Sequence, residues 1–415
     1  MSPLRKNAEA AARAARALVL ASTGLKNKVL DNLADGLREN QQAVLMANSV
    51  DIEAARLSGL SPHMIDRLSL DEKRLEDLAR AVIQVGDLPD PVGEISDPKD
   101  MIDGLKVARL RIPLGLIAFI CEARPGALVE AGALTIKSGN GLMVKCGREM
   151  SATAEALAEI FAEALSRAGL AAEAVTVLPT MDREDLKELL SLSDLIDLVI
   201  PRGGEGLIRF VDENSRIPVL RHYKGVCHLY VDRGADHQEA LALLLNGKTQ
   251  RPSTCNSLEA LLVHHDEAAA FLPLAEKELL AKGVTIKVDG SARPFLTKAV
   301  AAEEADWGRE FLDLTLAVKV VPDYEAALDH IARYGSNHTE VIATRDPERA
   351  RHFLRAVEAS CVMVNASSRL NDGGCLGLGA EIGISTTRLH AYGPMGLREL
   401  TTTRFIVEGQ GQVRS

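Results

Sequence analysis

Leu116-Ile117-Ala118-Phe119-Ile120 is a continuous apolar run, and Leu142-Met143-Val144 repeats it after a helix-like stretch, Ala127–Ser138, and the turn Gly139-Asn140-Gly141. A short strand that is apolar on both faces fits the inside of a parallel sheet, where crossover helices cover both sides. The alternation continues outward. A long helix is expected over Ser151–Ala168, a strand over Ala174–Leu178, a helix over Arg183–Leu190, and a strand within Leu195–Ile200. Further on come a helix over Ala268–Ala281 and strands at Val284–Val288 and Leu316–Val321. Strand–helix alternation on this scale predicts an α/β protein with doubly wound parallel sheets.

The flanks read differently. Residues 1 to 88 are helical in pattern, as in Ala8–Ala21, Leu25–Asn48 and Leu75–Val85, with Asp71 placed to cap the last of these. Gly86–Pro91 breaks the pattern. Leu105–Pro113 alternates apolar and basic residues, the mark of a strand with one wet face, and Pro113 argues against a central place in a sheet. The β-branched stretch Thr401–Val407 is expected to pair with it, forming an arm that reaches a partner subunit.

The chain of 415 residues predicts about two or three domains. Its 47% hydrophobic but only 3% aromatic composition requires an aliphatic, alanine-rich core. A net charge of −10 without a basic block speaks against nucleic acid as a partner. Cysteines 121, 146, 227, 255, 361 and 375 form no CxxC pair and no zinc-type spacing, so no metal site is suggested and a reduced, cytoplasmic setting is expected. No apolar run approaches the ~20 residues of a membrane span. The basic N-terminus reads as the first amphipathic helix rather than a transit peptide, because the helical pattern runs on without a break.

Two segments carry chemistry. Thr249-Gln250-Arg251-Pro252-Ser253-Thr254-Cys255-Asn256-Ser257 sets a cysteine in a polar turn between apolar segments. A helix starting near Ser253 would favour its thiolate, and a thiolate attacks carbonyl carbon; a small buried thiol with polar neighbours is the alternative. Pro201-Arg202-Gly203-Gly204-Glu205-Gly206 lies between a strand and a helix. It reads either as a phosphate-binding loop or as a tight turn. The other five cysteines lie in or beside apolar runs and read as fillers.

Taken together in order, several stretches resemble the gamma-glutamyl phosphate reductase family of the aldehyde dehydrogenase superfamily. They are Ile200-Pro201-Arg202-Gly203-Gly204, Lys248–Asn256, Tyr334-Gly335-Ser336-Asn337-His338-Thr339-Glu340, Val364-Asn365-Ala366-Ser367-Ser368-Arg369 and Gly377–Thr386. The resemblance implies an aldehyde-dehydrogenase-like fold with two doubly wound domains and a small β oligomerisation arm. An NADP-binding domain would hold residues 1–97 and 113–230, and a catalytic domain 231–365. Residues 366–393 would return to the cofactor domain, with 98–112 and 394–415 as the arm. The site would lie in the cleft between the large domains.

The implied reaction is NADPH-dependent reduction of L-glutamyl 5-phosphate through a thioester on Cys255. Relatives that hydrolyse the thioester carry a glutamate base; the matching stretch here, Arg221–His228, has no acid. Relatives also use an asparagine for the oxyanion, where Glu122-Ala123-Arg124-Pro125 has alanine, leaving backbone N–H near Cys255 together with Asn256 or Arg124 as donors. Arg124 alternatively binds the leaving phosphate or pairs with Glu122 or Glu130. Lys145, Arg148, Gly203, Gly204 and Glu310 are the implied cofactor residues, with Arg148 favouring the 2′-phosphate of NADPH. Arg251, Asn365, Ser367 and Arg369 join Arg124 as substrate residues, and His338 is read as structural. A homodimer or dimer of dimers is implied, with transient contact to glutamate 5-kinase.

Overall fold

The computed structural model describes residues 2–101, 104–178 and 181–414. Residues 102 and 103, inside the expected arm, lie outside them. The chain divides into two compact units.

The first unit comprises Met1–Arg221, Gly377–Gly383 and Met395–Ser415. It opens with the helices Pro3–Val19, Thr23–Glu39, Gln41–Leu57, Pro62–Leu68 and Glu72–Asp87. Ser2, Ser22, Ser61 and Asp71 cap four of these by accepting a backbone N–H. The stretch expected as one helix over Leu25–Asn48 is two, parted at Asn40, whose side chain donates to Gly36 O at 2.9 Å. A four-stranded parallel sheet follows, in the order Val175–Leu178, Gly141–Lys145, Leu116–Cys121, Leu198–Arg202. Every residue of Leu116–Cys121 is buried, as its two apolar faces require. The helix Ser151–Arg167 has no cap of its own; Asp51 supplies one from another helix, accepting from Thr153 N at 2.7 Å and Ala152 N at 3.1 Å.

A three-stranded antiparallel sheet of Ile95–Asp100, Lys106–Pro113 and Thr401–Glu408 completes this unit. The C-terminal strand pairs with Lys106–Pro113 along its whole length, Thr401 opposite Pro113 and Glu408 opposite Lys106. Lys106–Pro113 is the middle strand, contrary to the expectation from Pro113. The proline is tolerated because it is the last residue of the strand, where one missing N–H interrupts no ladder.

The second unit comprises His222–Leu376 and Ile384–Pro394. Its boundary at residue 222 falls ahead of the expected 231, because the strand Cys227–Val231 belongs to the second sheet. That sheet is seven-stranded and parallel, in the order Val300–Ala301, Thr285–Val288, Thr315–Val321, Leu258–His264, Cys227–Val231, Thr339–Ala343, Cys361–Val364. The helices His237–Thr249 and His265–Ala281 pack on it around Leu229, Leu244, Leu261 and Phe271, all buried. Fold class and strand–helix alternation match the sequence reading.

Candidate active site

Cys255 lies in a turn between the helix His237–Thr249 and the strand Leu258–His264. No helix starts near Ser253, so the expected helix N-terminus does not act on this thiol. The turn is held from three sides. Ser257 N donates to Thr254 O at 3.0 Å within it. The buried Asn256 donates through Nδ2 to Asn371 O at 2.9 Å, and its Oδ1 lies 2.9 Å from Thr254 Oγ1. Arg369 donates through Nη1 to Thr254 Oγ1 and through Nε to Gln250 Oε1, both at 2.8 Å. Burial lowers the Arg369 pKa, while the neighbouring Cys255 acts to raise it and Arg251 to lower it. One planar guanidinium thus grips two residues that lie four positions apart, Gln250 and Thr254.

Beneath the turn runs the segment expected to lack a base. A Cβ on Gly225 would meet Cys255 O at 1.9 Å and Cys255 C at 2.7 Å, so only glycine fits there. Glu310 accepts from Gly225 N at 2.9 Å, Ser336 Oγ from Val226 N at 2.8 Å, and Lys224 Nζ donates to Gly308 O at 2.6 Å. Cys227 Sγ lies 3.2 Å from Cys255 O, and burial pushes its thiol well above the ordinary range, so it stays protonated.

Sheet order explains what else meets Cys255. The strands Leu258–His264, Cys227–Val231 and Thr339–Ala343 are adjacent and parallel. Cys255, His222 and His338 each precede one of them, so all three gather at the same strand-entry edge. Their ligating atoms lie within 4.8 Å of one another, and the two imidazole centroids are 4.9 Å apart. Sequence reasoning missed this group. Its one signal was that histidine stands in the stretch where relatives keep an acid.

Under the helix that precedes Cys255, Lys248 Nζ donates to Glu259 Oε2 at 2.7 Å and to Leu258 O at 2.8 Å, with both side chains fully buried. Desolvation raises Glu259 to about 7, against the opposing pull of Lys248.

Of the expected substrate residues, Arg369 contacts the cysteine turn, and Ser367 Oγ donates to Asn246 Oδ1 at 2.6 Å on the preceding helix. Arg251 is exposed on the turn itself. Asn365 is a correction. Its amide bridges Thr344, accepting from the N–H and donating to the carbonyl, each at 2.9 Å. It therefore sits at the strand-exit edge of the sheet, a five-residue strand away from Cys255, which is ~16 Å. Cys375 is exposed rather than a filler.

The remaining expected residues lie in the first unit. Lys145 ends its strand half-buried, and Arg148 is exposed just beyond it. These cations at the carboxyl end of a parallel sheet, with no carboxylate following Lys145 directly, fit a nucleotide phosphate. Gly203 and Gly204 do not fit one. Glu122 Oε2 already accepts from Gly204 N at 2.9 Å, and a Cβ on Gly203 would meet the same oxygen at 2.4 Å. A carboxylate thus sits on an amide at that helix N-terminus, as a tight turn closed by Glu122 would have it. Arg124 is the N-cap residue of the helix Pro125–Lys137 and follows Ala123, held at φ 40° with its N–H donated to Glu149 Oε1 at 2.6 Å.

Among the described residues no helix is long and apolar enough to cross a membrane. The sequence model of the aldehyde dehydrogenase family matches residues 3–294. A gamma-glutamyl phosphate reductase of Anaeromyxobacter sp. (strain Fw109-5) is 52% identical over 416 residues, covering 99% of this chain and 97% of that protein. The crystal structure of gamma-glutamyl phosphate reductase from Thermotoga maritima superimposes with a TM-score of 0.97 at 41% identity, covering 100% of both chains. An engineered glycolyl-CoA reductase with bound NADP+ shares the fold alone, with a TM-score of 0.69 at 15% identity over 98% of this chain and 96% of that one.

Proposed function

We infer the reaction from one premise: the chain belongs to the aldehyde dehydrogenase family and, within it, to the gamma-glutamyl phosphate reductases. It is an oxidoreductase of that family, whose members use nicotinamide cofactors. In our reading it reduces L-glutamyl 5-phosphate to glutamate 5-semialdehyde with NADPH. The Cys255 thiolate attacks the acyl carbon, the C–O bond to phosphate breaks, and inorganic phosphate leaves with the electron pair. The enzyme then carries a thioester. Lys145 and Arg148 would hold the cofactor's ribose and 2′-phosphate, and the bound cofactor supplies the hydride. The resulting thiohemiacetal collapses, returning the thiolate and releasing the aldehyde.

The observation that carries this reading is the packing of Gly225 against Cys255. It brings the segment Arg221–His228 alongside the nucleophile, and that segment contains no carboxylate to activate water. A thioester formed there is protected from hydrolysis and left for reduction. Arg369 holds the cysteine turn in register, and Arg251 beside it offers a charge for the substrate phosphate. The three-stranded sheet, with Ile95, Phe405 and Val407 exposed, is the arm through which we expect a homodimer or dimer of dimers.

The test is the reverse reaction: pyrroline-5-carboxylate in equilibrium with the semialdehyde, inorganic phosphate and NADP, followed by absorbance of the reduced cofactor. Phosphate-dependent reduction, abolished in Cys255→Ala, is the expected result. Reduction that proceeds without phosphate overturns the reductase reading in favour of a hydrolytic dehydrogenase.

A further inference from the structure

We propose that His222, Cys255 and His338 form a binding site for a thiophilic divalent cation of the zinc class, and that an ion held there withdraws the thiol from the reaction. The ligating atoms of the three residues lie within 4.8 Å of one another. Zinc bonds to nitrogen and sulfur are about 2.0–2.3 Å, which sets donor atoms roughly 3.3–3.7 Å apart around a tetrahedral ion. The gap to close is therefore roughly 1 Å, within reach of a small side-chain rotation of His222, which is half-buried and lies ahead of its strand.

The rest of the group is built to stay in place. His338 is fully buried, and its Nδ1 lies 2.7 Å from Thr339 Oγ1. That hydroxyl in turn accepts from Asn371 Nδ2 at 2.8 Å. The metal would take Nε2, with Thr339 and Asn371 as the outer partners that orient a ligating imidazole. Cys255 is fixed by Arg369 through Thr254, and its backbone rests on Gly225. The three ligands enter from the ends of three adjacent strands, so the sheet itself sets their spacing.

Donor chemistry decides which ion fits. Two imidazoles and a thiolate suit zinc, cobalt or cadmium; with no carboxylate in the group, magnesium and calcium find no hard ligand. Three protein ligands leave a fourth position for water. Binding converts the thiol to a metal-bound thiolate and releases its proton to solvent. The lone pair that would attack the acyl carbon is then committed to the metal, and removal of the ion restores it. The loss of turnover rests on the reading of Cys255 as nucleophile; the binding itself does not.

The experiment uses the reduced, metal-free full chain titrated with Co2+. The expected result is thiolate-to-cobalt charge-transfer absorption with tetrahedral visible bands, saturating at one ion per chain. Cys255→Ser should lose the charge-transfer band, and His222→Gln should weaken binding by about 10–100-fold or more, a loss that even an outer-shell change can cause. In the wild type, Zn2+ at ten times its Kd should slow iodoacetamide labelling of Cys255 about tenfold. Chelator should restore labelling, and Mg2+ should not protect. The wild-type assay needs no variant to fold. Cobalt bound without a thiolate band, cobalt bound equally by Cys255→Ser, or labelling that zinc does not slow each overturns the proposal. Neither readout involves substrate, so a failed turnover assay with intact metal binding would strike the functional reading alone.

Discussion

Gly225→Ala replaces a hydrogen by a methyl group at a crowded point beside the proposed nucleophile. The new Cβ would stand 1.9 Å from Cys255 O and 2.9 Å from Cys255 Cα. Even a tight Cβ contact needs about 3.0–3.4 Å, so the two backbones must part by at least roughly 1.1–1.5 Å. Neither yields easily. Gly225 is tied to Glu310 and its successor Val226 to Ser336, while the cysteine turn is clamped by Arg369 and Asn371. A misplacement of about 1 Å at a reacting group costs on the order of 100-fold in rate, or about 2.7 kcal/mol of barrier. Overpacking should also cost about 1–3 kcal/mol of stability. The assay is single-turnover acylation of Cys255 by the acyl phosphate without cofactor, read as phosphate release, beside a thermal melt. A folded Gly225→Ala protein that acylates within about threefold of the wild type would refute the argument that this contact sets the position of the sulfur.

Three further outcomes follow from the same geometry. Arg369→Lys keeps the charge but loses the fork that spans Gln250 and Thr254, so kcat should fall about tenfold with little change in melting temperature; steady-state kinetics check it. Lys248→Met leaves Glu259 buried without its ion partner and should cost about 3–5 kcal/mol in denaturant unfolding, whereas replacing both partners by apolar residues should recover most of it. Burial, reinforced by His228, lowers His330 from 6.5 to about 3. The unfolded chain therefore binds a proton that the folded one refuses, and this contribution is present above pH 6.5 and lost as pH falls toward 3. The loss is at most about 5 kcal/mol, and His330→Phe should flatten stability-against-pH curves over that window.

Much of the frame is legible in the sequence because burial leaves a local trace. Leu116–Cys121 is apolar on both faces and reads directly as an inner strand. The pairing of Thr401–Glu408 with Lys106–Pro113 is legible from the β-branched, extended character of Thr401–Val407 beside a one-wet-face strand. What was misread has physical causes too. Between Thr249 and Leu258 the polar run around Cys255 forms a turn rather than a helix start, and the charges beside the thiol come from Arg251 and Arg369. Gly203 and Gly204 look like a phosphate loop until Glu122, far away in sequence, is found on the Gly204 amide. The gathering of His222, Cys255 and His338 depends on the order of strands in the sheet, which no local spacing encodes. Asn365 shows the reverse: a polar residue after a strand, in a promising motif, employed in closing the far edge of the sheet.

The first unit is interrupted by the second: its chain leaves at Arg221 and returns only at Gly377. During synthesis, Lys106–Pro113 therefore waits with one flank bare until Thr401–Glu408 has been made, with Arg111 and its partner Thr401 290 positions apart. The intervening stretch holds a complete sheet with helices on it and can reach its own folded state first. Ribosome-bound chains halted before residue 401 should then show a protease-resistant second unit and a labile strand at 106–113. Closing so distant a pair carries a high entropic cost, which makes this seam a slow step in maturation and the point where chaperones would be most needed.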